Sequence, residues 1–317
     1  MVRVLVVGVG RMGFAHAKAA NMLPDVKIVG LVARNWQKWQ EVAEYFSDVP
    51  LYNTYKDALA ATKPDAVIIS SYTDTHALYA CQAMEAGAHV FVEKPLAMIK
   101  REAGHTIATA RKCGKKLYVG YILRHHAKWM KFIECAKALT PPVSVTITSN
   151  QHSTGEEWEL HKNILNAGLS PLVDCGIHYA DVMGQIASTP IANIKSLGYK
   201  TVENMVVPNE TNMLITYEDG SKLYFESGFG PNIDKNDISI AKAESNDGSV
   251  HITPDNLVKA GDKRYQFGDD ETDKAIIAQQ KSFFNAIKGD IDLEDHWQYA
   301  AMSLAVVLIA EEEMKIS

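Results

Sequence analysis

The sequence predicts an α/β protein. A doubly wound, parallel-sheet domain spans residues 1–122, and an α+β domain on a mostly antiparallel sheet spans 123–317. Three observations carry this. Short β-branched runs alternate with helix-length segments through the first domain. A glycine-rich turn joins the first strand to the first helix. Past residue 122 the strand candidates lengthen and are joined by short turns. At 317 residues the chain exceeds one ordinary core and suits two domains of about 150 residues each.

In the first domain the strand candidates are 2–7, 26–32, 66–69, 89–92 and 116–119, and the helices 12–22, 36–46, 55–61, 76–86 and 101–113. Strands that read as unbroken apolar runs are buried on both faces, which a parallel sheet with right-handed helical crossovers supplies. The second domain begins with a helix near 127–138. Strands follow at 143–149, 191–199, 237–243, 249–253 and 264–267, with a hairpin formed by 213–217 and 222–227 around Glu218-Asp219-Gly220. Helices at 275–287 and 296–314 close the chain, an α+β pattern.

With 47% hydrophobic and 22% charged residues, the composition is that of a soluble globular protein. A net charge of −6 argues against a nucleic-acid partner, which demands a basic face. The longest apolar run, 300–310, is interrupted by Ser303 and falls short of the roughly 20 residues that cross a bilayer. It reads as a buried helix closed by Glu311, Glu312 and Glu313. The chain opens directly into an apolar strand without a secretory-signal pattern, so no membrane association and a cytoplasmic location are expected. Cys81, Cys113, Cys135 and Cys175 are widely spaced, implying neither a disulfide framework nor a zinc site.

Gly8-Val9-Gly10-Arg11-Met12-Gly13 follows the first strand and opens a helix. One glycine permits the tight turn, the second lets backbone approach a pyrophosphate, and the third allows close helix–strand packing. The helix start then offers free N–H groups and partial positive charge. Dinucleotide binding by Gly8, Gly10, Arg11, Met12 and Gly13 is the expectation. An acid at the end of the second strand would hold the ribose 2′-hydroxyl of NAD. Here the strand ends Leu31-Val32-Ala33-Arg34-Asn35. Arg34 can pair with a 2′-phosphate and stack on adenine, so NADP is expected in preference to NAD. The bland alternative makes Arg34 a solvated residue and Asn35 a cap for the next helix.

Past the fourth strand come Thr75-His76 and then the run Ala86-Gly87-Ala88-His89-Val90-Phe91-Val92-Glu93-Lys94-Pro95-Leu96-Ala97. This resembles the glucose–fructose oxidoreductase / inositol dehydrogenase (Gfo/Idh/MocA) family, whose hallmark is Glu-Lys-Pro after the fifth strand. Three further matches agree in order: the glycine turn with His16 beyond it, Gly120-Tyr121-Ile122-Leu123-Arg124, and Asp174-Cys175-Gly176-Ile177-His178 with Asp181. The resemblance spans almost the whole chain. It implies a Rossmann domain followed by a substrate domain with an open sheet used for oligomerisation, as a homodimer or homotetramer. It also implies pyridine-nucleotide oxidation or reduction of sugars, inositols and related polyols, with Lys94, Asp174 and His178 catalytic. The sequence departs from the family where Ala167-Gly168-Leu169-Ser170-Pro171 replaces a Gly-Gly pair, at Ser70-Ser71-Tyr72-Thr73-Asp74, and at His125 and His126 after Arg124.

Elementary chemistry supports the trio. Hydride transfer at a carbinol carbon needs a cation or proton donor where the alkoxide develops, beyond the carboxyl ends of the strands. Lys94 stands there, and Glu93 can orient its neighbours. Asp174 and His178 are spaced i, i+4, so on one helix they share a face, the carboxylate orienting an imidazole that shuttles a proton. Asp181 lies on the same face, as a substrate contact or a cap to the pocket. Ser70, Ser71, His76, Glu93 and Lys94 are further cofactor-site candidates. Arg124, His152, Trp158 and Lys162 are candidates for the substrate pocket, with Lys94, Asp174 and His178. His125 and His126 read as polar surface at a helix start. Too few nitrogen or sulfur ligands surround Asp174 and His178 for zinc, so no metal is expected. Two rival functions remain, an NAD-dependent glycosidase of similar fold and a non-catalytic NADP(H)-sensing protein.

Overall fold

The computed structural model describes residues 1–234, 240–289 and 291–316. The chain forms two compact units. The first comprises residues 1–125 together with 272–301, and the second 126–271 together with 302–317.

In the first unit the elements are β1 (Val2–Val7), α1 (Arg11–Asn21), β2 (Val26–Val32), a 3₁₀ turn (Trp36–Trp39), α2 (Gln40–Tyr45), β3 (Leu51–Tyr52), α3 (Tyr55–Thr62), β4 (Ala66–Ile69), α4 (Thr73–Glu85), β5 (His89–Glu93), α5 (Lys100–Cys113) and β6 (Leu117–Gly120). The strands pair in parallel in the order β3-β2-β1-β4-β5-β6. The centre of the sheet is apolar on both faces: Val4, Leu5, Val6, Ala66, Val67, Ile68 and Ile69 are all fully buried. Strand order reverses between β1 and β4, and ligands of such sheets bind in the crevice beyond the carboxyl ends at that switch. The single helix expected over 36–46 is a 3₁₀ turn followed by short α2. Trp39, at φ −119° and ψ 38°, leaves the helical region between them.

The second unit begins with α6 (Ala127–Lys137), β7 (Ser144–Thr148), β8 (Gln151–His152), α7 (Gly155–Asn166), α8 (Pro171–Asp174) and α9 (Gly176–Ile186). Seven strands follow: β9 (Ile191–Tyr199), β10 (Glu210–Tyr217), β11 (Lys222–Gly230), β12 (Ile240–Ser245), β13 (Gly248–Thr253), β14 (Leu257–Ala260) and β15 (Lys263–Gln266). The chain closes with α10 (Glu271–Lys288), α11 (Glu294–Glu312) and β16 (Lys315–Ile316), of which residues 272–301 belong to the first unit. Sheet order is β15-β14-β13-β12-β7-β11-β10-β9-β16, with β8 beside β11. Among the described residues, only β11 with β7 and β8, and β16 with β9, run parallel in this sheet. Alternation along β10 buries Thr211, Met213, Ile215 and Tyr217, so one face carries the core. Gly220, at φ +85°, makes the β10–β11 turn that the Asp-Gly pair predicts. The candidate strand 237–243 is described from Ile240, and residues 237–239 lie outside the described residues. Among the described residues no helix is long and apolar enough to cross a membrane.

Candidate active site

The glycine turn is built by backbone proximity. Gly8 takes φ +83°, and a Cβ there would stand 2.4 Å from the Ser70 carbonyl oxygen. A Cβ on Gly13 would stand 1.8 Å from the carbonyl oxygen of Gly8. These two glycines are demanded by the fold itself. Hydrogen bonds from Gly8 N–H to Val32 O (3.0 Å) and from Ser70 N–H to Val7 O (2.8 Å) tie the ends of β1, β2 and β4 together. Gly10 is different. Its φ of −62° and ψ of −173° suit any residue, and a Cβ there would meet only the Trp39 ring, at 3.9 Å. Gly10 is the N-cap of α1, no side chain caps that end, and the first turn holds no acid. An uncapped, acid-free helix start with room at the Gly10 Cβ position fits the pyrophosphate of a dinucleotide.

At the end of β2, Arg34 lays its guanidinium over the ring of Tyr72, 4.4 Å from the centroid. Both residues are exposed. Asn35 accepts the Lys38 N–H at 3.4 Å, so the capping expectation also holds. Tyr72 stands where the sequence departs from the family, and its pairing with Arg34 bridges 38 positions, so no local pattern shows it. Beyond β4, the hydroxyls of Ser71 and Thr75 lie 2.7 Å apart. His76 is 2% exposed, with Nδ1 at 2.8 Å from Pro95 O and Nε2 at 3.2 Å from Ser71 O. Burial holds its pKa below the ordinary histidine value. Its ring is turned into the protein between the loop after β4 and the loop after β5, and in its neutral form it donates to one of these two carbonyls.

Lys94 is the first residue beyond β5 and is half-buried. The Glu93 carboxylate, by contrast, faces inward at 7% exposure. Its Oε1 lies 2.6 Å from His16 Nε2, and its Oε2 accepts the Lys94 N–H at 3.1 Å. Gly120 makes room for it, since a Cβ there would stand 2.9 Å from that Oε1.

Arg124, a candidate for the substrate pocket, is a first-unit residue. Its Nη1 lies 2.9 Å from His296 Nδ1, and its guanidinium lies over Tyr121 (4.7 Å) and Tyr299 (5.8 Å). The polar-surface reading of His125 and His126 is corrected. His125 Nε2 lies 2.9 Å from the Tyr118 hydroxyl. Burial first, and the Arg124 charge second, push its pKa down to about 4. Burial likewise lowers that of His126.

In the second unit, Gly168 at φ +85° ends α7, with Gly168 and Leu169 N–H groups returning to Leu165 and Ile164 carbonyls. Ser170 then caps α8, accepting the Val173 N–H, with Pro171 in the first turn. The departure from a Gly-Gly pair thus builds a helix start. Asp174 closes α8 and His178 sits in the first turn of α9, so the single helix expected is two pieces meeting at Cys175. Cys175 stays right-handed at φ −95° and ψ −45°, which leaves the two side chains on consecutive turns. Asp181 is 1% exposed and accepts from Ser303 Oγ (3.3 Å) and Gln185 Nε2 (3.1 Å). That favours a structural role for it over substrate contact. Trp158 is half-buried over Gly230, where a Cβ would meet its ring at 3.5 Å. Lys162 pairs with Glu159 and stands 5.8 Å from the Trp158 centroid. His152 Nδ1 lies 2.8 Å from Ile233 O. Among the described residues no three His, Cys, Asp or Glu side chains are grouped to hold a metal ion.

Residues 2–121 match the family model described as "Oxidoreductase family, NAD-binding Rossmann fold". The chain is 26% identical over 259 residues to D-glucoside 3-dehydrogenase of Escherichia coli, covering 74% of this chain and 72% of that one. It is 26% identical over 235 residues to inositol 2-dehydrogenase of Salmonella typhimurium, covering 72% of this chain but less than two thirds, 64%, of that one. In fold it is similar to scyllo-inositol dehydrogenase of Lactobacillus casei, solved with NAD(H) and scyllo-inositol. That likeness has a TM-score of 0.80 at 16% identity and covers 99% of this chain and 97% of that one. The hallmark Glu93-Lys94-Pro95 at the end of β5, the parallel sheet with its glycine turn, and these likenesses agree: residues 2–121 match the NAD-binding Rossmann domain of an oxidoreductase family, and the chain is similar to members of the glucose–fructose oxidoreductase / inositol dehydrogenase (Gfo/Idh/MocA) family.

Proposed function

We propose that this protein is a nicotinamide-dependent dehydrogenase or reductase of a secondary alcohol on a sugar, inositol or related polyol. The observation that carries the reading is the pairing, within one unit, of an uncapped helix start behind Gly10 with a lysine at the end of the neighbouring parallel strands. A bound nicotinamide dinucleotide supplies or accepts the hydride. The chain's own part begins with the N–H groups of Arg11, Met12 and Gly13 at the phosphates. The Lys94 ammonium favours negative charge on the substrate oxygen as the carbinol becomes a carbonyl, or the reverse. We assign His178 the proton that leaves or joins that oxygen, and Asp174 the orientation of the imidazole. Trp158 offers a flat apolar face to the C–H side of a sugar ring.

NADP is the proposed cofactor in preference to NAD. Arg34 supplies a fixed cation and Tyr72 a flat partner at the end of β2, where no carboxylate stands to receive a ribose 2′-hydroxyl. The protein is proposed to be cytoplasmic and to assemble as a homodimer or homotetramer through the second sheet. Leu197 and Tyr224 are exposed there at 42% and 38%.

Inositols, aldoses and keto-sugars assayed by nicotinamide absorbance, each with both cofactors, test the activity. Absence of turnover across the panel with bound cofactor would leave the dehydrogenase reading without support. Light scattering in solution tests the assembly, and a monomer at micromolar concentration refutes it.

A further inference from the structure

Behind Lys94 lies a chain of buried side chains that the reaction itself does not use. His16 is fully buried on α1, one turn beyond the glycine turn. The Gln280 side-chain amide, carried on α10 and 264 residues away in sequence, reaches His16 Nδ1 at 3.0 Å. Gln280 is itself fully buried. With the amide N–H donating, Nδ1 is an acceptor, so the neutral ring carries its proton on Nε2. Nε2 lies 2.6 Å from Glu93 Oε1, and the other carboxylate oxygen accepts the Lys94 backbone N–H. A charge-assisted hydrogen bond between buried partners is stronger than a neutral one, and a carboxylate at 7% exposure has little water to replace a lost donor.

We propose that His16, clamped by Gln280, is the positioning residue for Lys94 and acts through the Glu93 carboxylate. Three segments remote in sequence meet in this line: the phosphate-binding helix α1, the end of β5, and α10. The helix that addresses the cofactor therefore also sets the backbone from which the catalytic ammonium projects. The Phe91 ring, 4.7 Å from the imidazole centroid, keeps the ring from swinging aside. The inference rests on the catalytic reading of Lys94 for its effect on rate, but not for the link itself.

Three variants test it in the full chain: His16→Leu removes the donor, His16→Gln places an amide N–H near Nε2, and Lys94→Ala reports on the lysine. Displacing a reacting group by about 1 Å costs up to about 100-fold in rate. His16→Leu is therefore expected to lower kcat by about 10- to 100-fold, with KM and cofactor Kd within about twofold. His16→Gln should recover most of that loss. The ¹⁵N–¹H resonance of the Lys94 amide, assigned in the wild type, should shift in His16→Leu and return toward its original position in His16→Gln. A purely structural role predicts instead that melting temperature, Kd and kcat fall together without rescue by glutamine. An unmoved Lys94 amide in a folded His16→Leu protein overturns the inference, whatever the rate. Full activity in Lys94→Ala beside a shifted amide supports the link and refutes the chemistry assigned to Lys94.

Discussion

Gly10→Ala separates cofactor binding from folding. At Gly10 the backbone conformation suits alanine, and the nearest atom to the added methyl is an aromatic carbon at 3.9 Å, an ordinary van der Waals contact. Two small effects on stability oppose each other. Removing a glycine stiffens the unfolded chain and stabilises by about 0.4–1 kcal/mol. Alanine is a poorer N-cap than glycine by a comparable fraction of a kcal/mol. The net change stays within about 1 kcal/mol, or about 4 °C in Tm. Binding should respond far more, because the methyl occupies the space through which a pyrophosphate approaches the Arg11, Met12 and Gly13 N–H groups. Losing one hydrogen bond to a charged group costs about 1.5–3 kcal/mol, which is about 10- to 150-fold in Kd. Gly13→Ala is the contrasting control. Its methyl would lie 1.8 Å from a backbone oxygen, so it should lower Tm as well as affinity. Calorimetric titration and thermal melting of both variants decide the matter. A Gly10→Ala protein that binds cofactor as tightly as the wild type would refute the placement of the pyrophosphate.

Arg34→Ala is expected to weaken NADPH by about tenfold, the worth of one hydrogen bond to a charged group, while NADH changes by less than about twofold; equal losses would remove the 2′-phosphate assignment. Lys94→Ala should lower kcat by about 100- to 10,000-fold while cofactor Kd is retained, as measured by stopped-flow and titration. For pH, His125 titrates near 4 in the folded chain and near its ordinary value of about 6.5 when unfolded. Its folded pKa is depressed, so its neutral form stabilises the fold fully above about 6.5, and that stability is lost as pH falls toward 4. At about 1.4 kcal/mol per pH unit the loss reaches up to about 3 kcal/mol. Denaturant melts across that range should flatten in His125→Gln, and an unchanged slope would show that His125 does not control it.

The parallel sheet was legible because its signal is local and redundant: each central strand is a continuous apolar run, and the Gly8-to-Gly13 turn fixes where the first ends. The β10–β11 hairpin was equally plain from alternation and the Asp219-Gly220 turn. Strands of two residues, β3, β8 and β16, are too short to show a period. Helix α7 carries only a weak sequence signal, because only His161 and Leu165 among its twelve residues are buried. At the site the sequence offered Lys94 but not what holds it.

That gap has a physical origin. Amphipathic period places a helix on some core but never names which core, and residues 272–301 show this by returning to the first unit. There Gln280 meets His16, Trp297 donates its indole N–H to Leu117 O at 2.6 Å, and His296 Nε2 accepts the Val119 N–H at 2.9 Å. The last two cover the edge strand β6, whose backbone groups would otherwise stand open on one side. Burial costs His296 its charge: its pKa is held well below the ordinary value, first by burial and then by Arg124 and His125. The neutral ring can then accept from a backbone N–H, which a protonated one cannot. Acidification should therefore open this edge before the sheet centre. Hydrogen exchange of the Val119 amide, compared with that of Ile68 in β4 between pH 7 and 5, tests it; parallel protection at both positions would place the acid-sensitive event elsewhere in the chain.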